Sequence, residues 1–223
     1  MKRQSKKKIV SFDLDGTIVS GHYGEMVWNH GIPEAYAKRY SMPFDEAKNY
    51  IRQEYESVGD REIIWYEIEH WLKRFNLPVP ADELLVRYES YIEKVPYAEE
   101  VLKELAGRYA LVVASNAARI FVDKELHCAG LTEYFTHIIS ATTDYRMVKK
   151  EEHFYRKLCE LLDVLPDEVV HVGDHPVFDH DVPADMGIEA YYLQHEHSAI
   201  SHQLSVKDGR NVIKDIRELL NRL

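Results

Sequence analysis

Asp13 and Asp15 stand two residues apart at the end of a short apolar run, Ile9 to Leu14, and lead directly into Gly16 and Thr17. The apolar run predicts a strand in the interior of a sheet. The acids must stay solvated or meet a cation, because a buried carboxylate is costly without a partner. Two further apolar runs end in the same manner: 110–114 at Ser115 and Asn116, and 168–172 at Gly173 and Asp174, with Asp179 five positions beyond. Lys149 and Lys150 lie between them, just ahead of a helical stretch that carries Phe154. In open parallel sheets the functional loops gather at the carboxyl ends of the strands. Collected there, these residues supply carboxylates for a hard cation, hydroxyl and amide donors, and an ammonium. That set suits holding and attacking a phosphate.

The elements that must position these residues follow from the periodicity. Strands are predicted at 9–14, 110–114, 136–140, 168–172 and 189–193, and helices at 96–107, 117–128, 151–163 and 211–220. Strands alternating with helices of this length imply an α/β fold, a Rossmann-like parallel β-sheet core with helices on both faces. Between Gly21 and Lys94 no strand pattern occurs. Phe44, Ala47, Ile51 and Tyr55 share one helix face, and Leu85, Tyr88 and Ile92 mark another. Asp60 is placed to cap a helix with the stripe Ile64, Ile68, Trp71, Leu72 and Phe75, which Pro78 and Pro80 end. The expected organisation is a core of residues 1–20 and 95–223, interrupted after the first strand by an all-helical insert, 21–94, hinged at Ser20 and Gly21. The insert holds all three tryptophans, which at helical spacing read as core. His22, Tyr23 and Trp28, just past the hinge, are placed to face a ligand.

The chain of 223 residues suits one domain with a sizeable core, or a core plus a smaller insert. Its formal net charge of −10 argues against nucleic acid or an anionic membrane as partner. An anionic substrate then needs a local cation. Cys128 and Cys159 are the only cysteines, which rules out a disulfide framework and suits a reducing compartment. The basic leader Met1 to Lys8 is followed by an apolar stretch that Asp13 and Asp15 interrupt, so no secretory apolar segment forms. No apolar run approaches the roughly 18 residues of a membrane span. The expectation is a cytoplasmic monomer or homodimer.

On these residues the chain resembles the haloacid dehalogenase superfamily of hydrolases, in the phosphatase form with a helical cap inserted after the first motif. The resemblance covers nearly the whole chain. Asp13 to Thr17 matches the family's first motif, Ser115 the second, Lys149 the third, and Gly173-Asp174 with Asp179 the fourth. It implies a phosphatase that hydrolyses a small phosphorylated metabolite through an aspartyl-phosphate on Asp13. Asp15 would protonate the leaving oxygen and then deprotonate the hydrolytic water, a role that needs a raised effective pKa. The implied cofactor is Mg²⁺, held by the Asp13 and Asp174 carboxylates and the Asp15 backbone carbonyl. Asp179 would hold a metal-bound water or the lysine. Thr17, Ser115, Asn116 and Lys149 would neutralise the phosphoryl oxygens.

The third motif departs from the family pattern, because Lys150 stands where proline usually follows the lysine and the stretch to Phe154 is slightly short. Spacing from Phe154 favours Lys149 over Lys150. His171, His175 and His180 crowd the fourth motif and raise a Zn²⁺ alternative. His171 lies within an apolar strand and reads as a satisfied core residue, whereas His175 occupies a loop position beside the site. Superfamily dehalogenases lack the acid two positions after the nucleophile, so Asp15 argues against that chemistry. A phosphomutase would share every core residue. A phosphonate hydrolase needs a cap lysine, and nothing marks Lys38 or Lys48 as desolvated. A non-catalytic binding module would have no use for the complete motif set.

Overall fold

The computed structural model describes residues 7–148, 151–195 and 211–223. Among these residues six parallel strands form one sheet: β1 (Ile9–Phe12), β2 (Ala110–Ser115), β3 (His137–Ser140), β4 (Val169–Gly173), β5 (Glu189–Leu193) and β6 (Val212–Ile213), in the order β3-β2-β1-β4-β5-β6. β1 is central, paired with β2 from Ile9↔Ala110 to Phe12↔Val113 and with β4 from Ile9↔Val169 to Phe12↔Val172. The strand order reverses between β1 and β4. In this topology that reversal opens a crevice at the carboxyl ends.

Period-two alternation divides the core. Val10, Phe12, Leu111, Val113, Val170 and Val172 face a layer built by the helices Ala98–Ala106 and Arg119–Ala129. Ile9, Val112, Ala114 and Val169 face the opposite way, onto Phe154, Tyr155, Leu158 and Cys159 of the helix Glu152–Leu162. Both faces are therefore covered, as a parallel sheet requires.

All the regular structure between His22 and Tyr91 is helical. It has its own apolar cluster of Tyr23, Val27, Ile51, Tyr55, Trp71, Phe75 and Leu85, with Phe121 joining it from the helix Arg119–Ala129. Its two connections to the sheet run side by side: Val19 bridges Lys94 antiparallel, and the Ser20 N–H donates to the Glu93 carbonyl at 2.8 Å. Two helical turns widen to i→i+5 spacing, at Val27–Gly31 and Pro176–Asp181. Each is soon followed by an in-helix proline, Pro33 and Pro183. A proline ring crowds the carbonyl four residues earlier, and widening the preceding turn relieves it.

Three predicted elements differ. The stripe from Ile64 to Phe75 divides into a short turn, Ile63–Tyr66, and a helix, Ile68–Arg74; Asp60 caps neither, and its carbonyl instead accepts the Tyr66 hydroxyl at 3.1 Å. The third helix ends at Tyr88 and tightens into the turn Glu89–Tyr91. The closing helix does not begin at Asn211. Val212 and Ile213 pair with Tyr192 and Leu193 as β6, and helical structure starts only at Ile216, where Asp215 and Glu218 form a reciprocal cap. A β-branched pair beside an unfilled sheet edge outweighs the helical periodicity there.

Candidate active site

The loop after β1 sets the site. The Asp13 N–H donates to the Val172 carbonyl at 2.8 Å, extending the β1–β4 ladder one step and bringing Asp13 beside the end of β4. The Leu14 carbonyl then accepts the N–H groups of Thr17, Ile18 and Val19 at 3.1, 3.0 and 3.1 Å, which folds the chain back sharply. Gly16 sits at the bend with φ +75°, and a Cβ there would lie 2.2 Å from Asp174 Oδ2. Glycine is required both for that backbone and for the acid to approach. The buried Thr17 hydroxyl donates to Asp13 Oδ2 at 3.4 Å.

At the end of β2, the buried Ser115 hydroxyl accepts the Ala117 N–H at 3.0 Å, closing the turn into the next helix. The Asn116 carbonyl accepts the Thr142 hydroxyl at 3.0 Å, and its side-chain Oδ1 is buried without a hydrogen-bond partner among the described residues.

At the end of β4, a Cβ on Gly173 would lie 2.2 Å from Asp179 Cγ, so here too glycine makes room for a carboxylate. Asp179 is held from two sides. Its Oδ2 accepts the His175 N–H at 3.0 Å, and its Oδ1 accepts from His171 Nε2 at 3.1 Å. His171 is fully buried, and its Nδ1 lies 3.1 Å from the hydroxyl of Ser11, its register partner on β1. It is the satisfied core histidine that its strand position implies. His175 Nδ1 accepts the N–H groups of Val177 and Phe178 at 3.3 and 3.2 Å, and its ring stacks on Phe178. His180 Nδ1 pairs with Asp181 Oδ1 at 2.9 Å. The three histidines thus have separate partners and build no shared metal site.

The carboxylates do assemble. Oxygens of Asp13, Asp174 and Asp179 all lie within 4.8 Å of one another. Three hard oxygen donors with no nitrogen or sulfur suit Mg²⁺ or a similar hard divalent cation. Asp13 and Asp179 are buried, so their charge is poorly solvated and favours such an ion.

Asp15 stands outside this trio and opens with it onto one cavity of about 320 Å³. Ser115, Asn116 and His175 line the same cavity, whose opposite wall is aromatic: Trp28, Trp65, Tyr66, Phe121 and Phe178. Of the residues placed just past the hinge, Trp28 reaches the cavity, stacked on Phe121 at 5.5 Å. Tyr23 is fully buried and donates to the Leu85 carbonyl, and His22 is exposed against Tyr91. Trp65 belongs to the wall rather than to the core. Lys149, with Lys150, lies outside the described residues.

Glu125 is a further cavity residue that motif reading misses. It is fully buried on the helix Arg119–Ala129, in contact with Asp15. Burial, then the Asp15 and Asp13 carboxylates, hold its carboxyl well above the usual carboxylate range. The detectable signal is a charged residue in the apolar stripe Phe121, Val122, Leu126, Ala129.

A parallel sheet with acids at its carboxyl edge, facing a helical insert, defines a class of hydrolase, and the family comparison agrees. The chain belongs to the haloacid dehalogenase-like hydrolases, whose family model matches residues 7–187. Among individual relatives, it is 22% identical over 181 residues to the GMP/IMP nucleotidase YrfG of Escherichia coli K12, covering 80% of this chain and 79% of that protein. It is 26% identical over 177 residues to the pyrophosphatase PpaX of Bacillus cereus, covering 76% of each. The fold matches that of a haloacid dehalogenase-type phosphatase from Thermococcus onnurineus with a TM-score of 0.81 and 24% identity, over 96% of this chain and 97% of that one. Among the described residues, no helix is long and apolar enough to cross a membrane.

The carboxylate trio predicts metal-linked stability. At concentrations of a hard divalent cation about 100-fold above Kd, the gain is about 2.7 kcal/mol, or roughly 5–10 °C in Tm for a chain of this size. Asp174→Asn should raise the metal-free Tm by relieving repulsion and abolish the increment from a divalent cation such as Mg²⁺, both measurable by scanning calorimetry.

Proposed function

We propose that this hydrolase is a Mg²⁺-dependent phosphatase of a small phosphorylated metabolite, with Asp13 as nucleophile and Asp15 as general acid and base. The observation that carries this reading is the sorting of two acids two residues apart. Asp13 joins Asp174 and Asp179, whereas Asp15 faces the same cavity outside that trio. One acid beside the metal position and a second aimed at the leaving group is what phosphoryl transfer through a covalent intermediate needs. A dehalogenase has no task for the second.

In the first step an Asp13 carboxylate oxygen attacks phosphorus and the ester oxygen leaves with a proton from Asp15. In the second, Asp15 takes a proton from water, which attacks the aspartyl-phosphate and frees Asp13 and inorganic phosphate. Asp13, Asp174, Asp179 and the Asp15 carbonyl would hold Mg²⁺, which when bound neutralises charge on the phosphoryl oxygens. The Thr17 hydroxyl steadies Asp13. Ser115, Asn116 and Lys149 complete the phosphate cradle in this reading. Phosphoryl transfer offers little covalent work beyond in-line attack, so positioning and electrostatics supply most of the rate.

Residues 21–94 act as a cap, bringing Trp28, Trp65 and Tyr66 over the strand ends. Four aromatic rings, counting Phe121, favour a leaving group with a planar apolar face, and a nucleoside monophosphate meets that description. The Escherichia coli relative is named a GMP/IMP nucleotidase, which supports the same substrate class.

Mg²⁺-dependent phosphate release from a generic aryl phosphate is the first test. Asp13→Asn should lower kcat by at least about 10³-fold with the fold intact. If Asp13→Asn keeps wild-type turnover, or the wild-type protein releases no phosphate, the reading fails. In a metabolite screen, Trp28→Ala should lower kcat/KM about 2–10-fold for nucleoside monophosphates and leave small aliphatic phosphates within about twofold.

A further inference from the structure

A second, smaller cavity adjoins the catalytic one and is built wholly from the helical insert. It holds about 190 Å³ and is lined by Gly24, Glu25, Trp28, Asn29, Tyr55 and Trp65. Gly24, Trp28 and Trp65 line both spaces, so the two meet there. No step of the phosphatase chemistry uses this second chamber. Its walls are aromatic: Trp28 meets Tyr55 edge to face at 5.9 Å, and the Tyr55 hydroxyl donates to the Trp28 carbonyl at 3.4 Å. Its rim is polar. Asn29 Nδ2 donates to Glu25 Oε2 at 2.7 Å, one helical turn away, which holds the Glu25 carboxylate in place as an acceptor.

Packing does not account for glycine at the junction. Gly24 lies within the helix His22–Met26, where alanine is the better residue, and its φ is not left-handed. Among the described residues, a Cβ on Gly24 would meet nothing within 4 Å. Gly31, further along the same helical run, is different, because a Cβ there would lie 2.6 Å from the Tyr88 ring. The space that Gly24 leaves is therefore open to the two cavities rather than filled by a neighbour.

We propose that the chamber is the subsite for the base of a nucleoside monophosphate, and that Gly24 is specificity-determining because its missing side chain keeps the passage open. Phosphate and ribose occupy the catalytic cavity, and the base lies against Trp28, Tyr55 and Trp65 with an N–H edge toward Glu25. This rests on the phosphatase reading and goes beyond it, in saying where the leaving group is read and which residue admits it.

The test measures Mg²⁺-dependent phosphate release by the wild type, Gly24→Ala and Gly24→Leu from two substrates. Guanosine monophosphate carries a base with N–H donors on its outer edge, whereas phenyl phosphate ends in a single ring that the catalytic cavity holds. Gly24→Leu should lower kcat/KM for the nucleotide at least about 10-fold and Gly24→Ala about 3-fold, with phenyl phosphate within about twofold of wild type for both. A folded Gly24→Leu protein with wild-type kcat/KM for the nucleotide overturns the proposal, as does one that loses as much on phenyl phosphate. If Gly24→Leu does not fold, the same two criteria apply to Gly24→Ala, where alanine favours the helix. A wild type that hydrolyses phenyl phosphate but not the nucleotide removes this proposal alone. A wild type that hydrolyses neither removes the phosphatase reading and this proposal with it.

Discussion

Everything at the carboxyl edge of this sheet is subject to the mutual repulsion of carboxylates. Three of them place oxygens within 4.8 Å of one another, two on buried residues. At an effective dielectric constant of about 20, each pair of unit charges at that distance costs roughly 3 kcal/mol. Three such pairs approach the whole net stability of an ordinary domain, about 5–15 kcal/mol. A chain holds such a cluster only if something offsets it. Three hard oxygen donors are suited to a divalent cation that would offset it, and hydrogen bonds spread the charge of Asp179 onto His171 and the backbone of His175.

The supporting structure is arranged to permit that crowding. Gly16 and Gly173 are each the space into which an acid fits, since a methyl group at either would meet a carboxylate at 2.2 Å. The two widened helical turns carry Trp28 and Asp179, one from the aromatic wall and one from the acidic floor. In both places a nearby proline accounts for the distortion, and a cavity-lining side chain occupies the distorted turn. Ser11 and His171, register partners on adjacent strands, carry a polar contact through the core to Asp179. The site is thus anchored on the sheet from below and closed by the helical segment from above.

Most of the fold was legible in the sequence because strands buried on both faces read as uninterrupted apolar runs. β5 begins and ends where the pattern places it, and β2 and β4 shift by one residue. β6 was hidden, since two residues are too short for any period to register. Asp13, Asp15, Asp174 and Asp179 were legible because acids at strand ends are chemically conspicuous. Glu125 was not, because a lone glutamate in a helix ordinarily faces water, and its burial becomes plain only once the helix is docked. The aromatic wall was misjudged for a related reason. Tyr23, next to the hinge, was expected to face a ligand and Trp65 to be core, and only tertiary packing decides that Tyr23 is core and Trp65 lines the cavity.

The central claim is that Asp13 carries the phosphoryl group. The most direct test mixes the protein with Mg²⁺ and a phosphomonoester that it hydrolyses, quenches in acid on the millisecond scale, reduces with tritiated borohydride, and maps the tritium by peptide mass spectrometry. The account predicts a transient acyl-phosphate on the peptide around Asp13, reduced there to homoserine and absent from Asp13→Asn. Phosphate release at full rate with Asp13 never labelled would mean that water attacks phosphorus directly, and would contradict it.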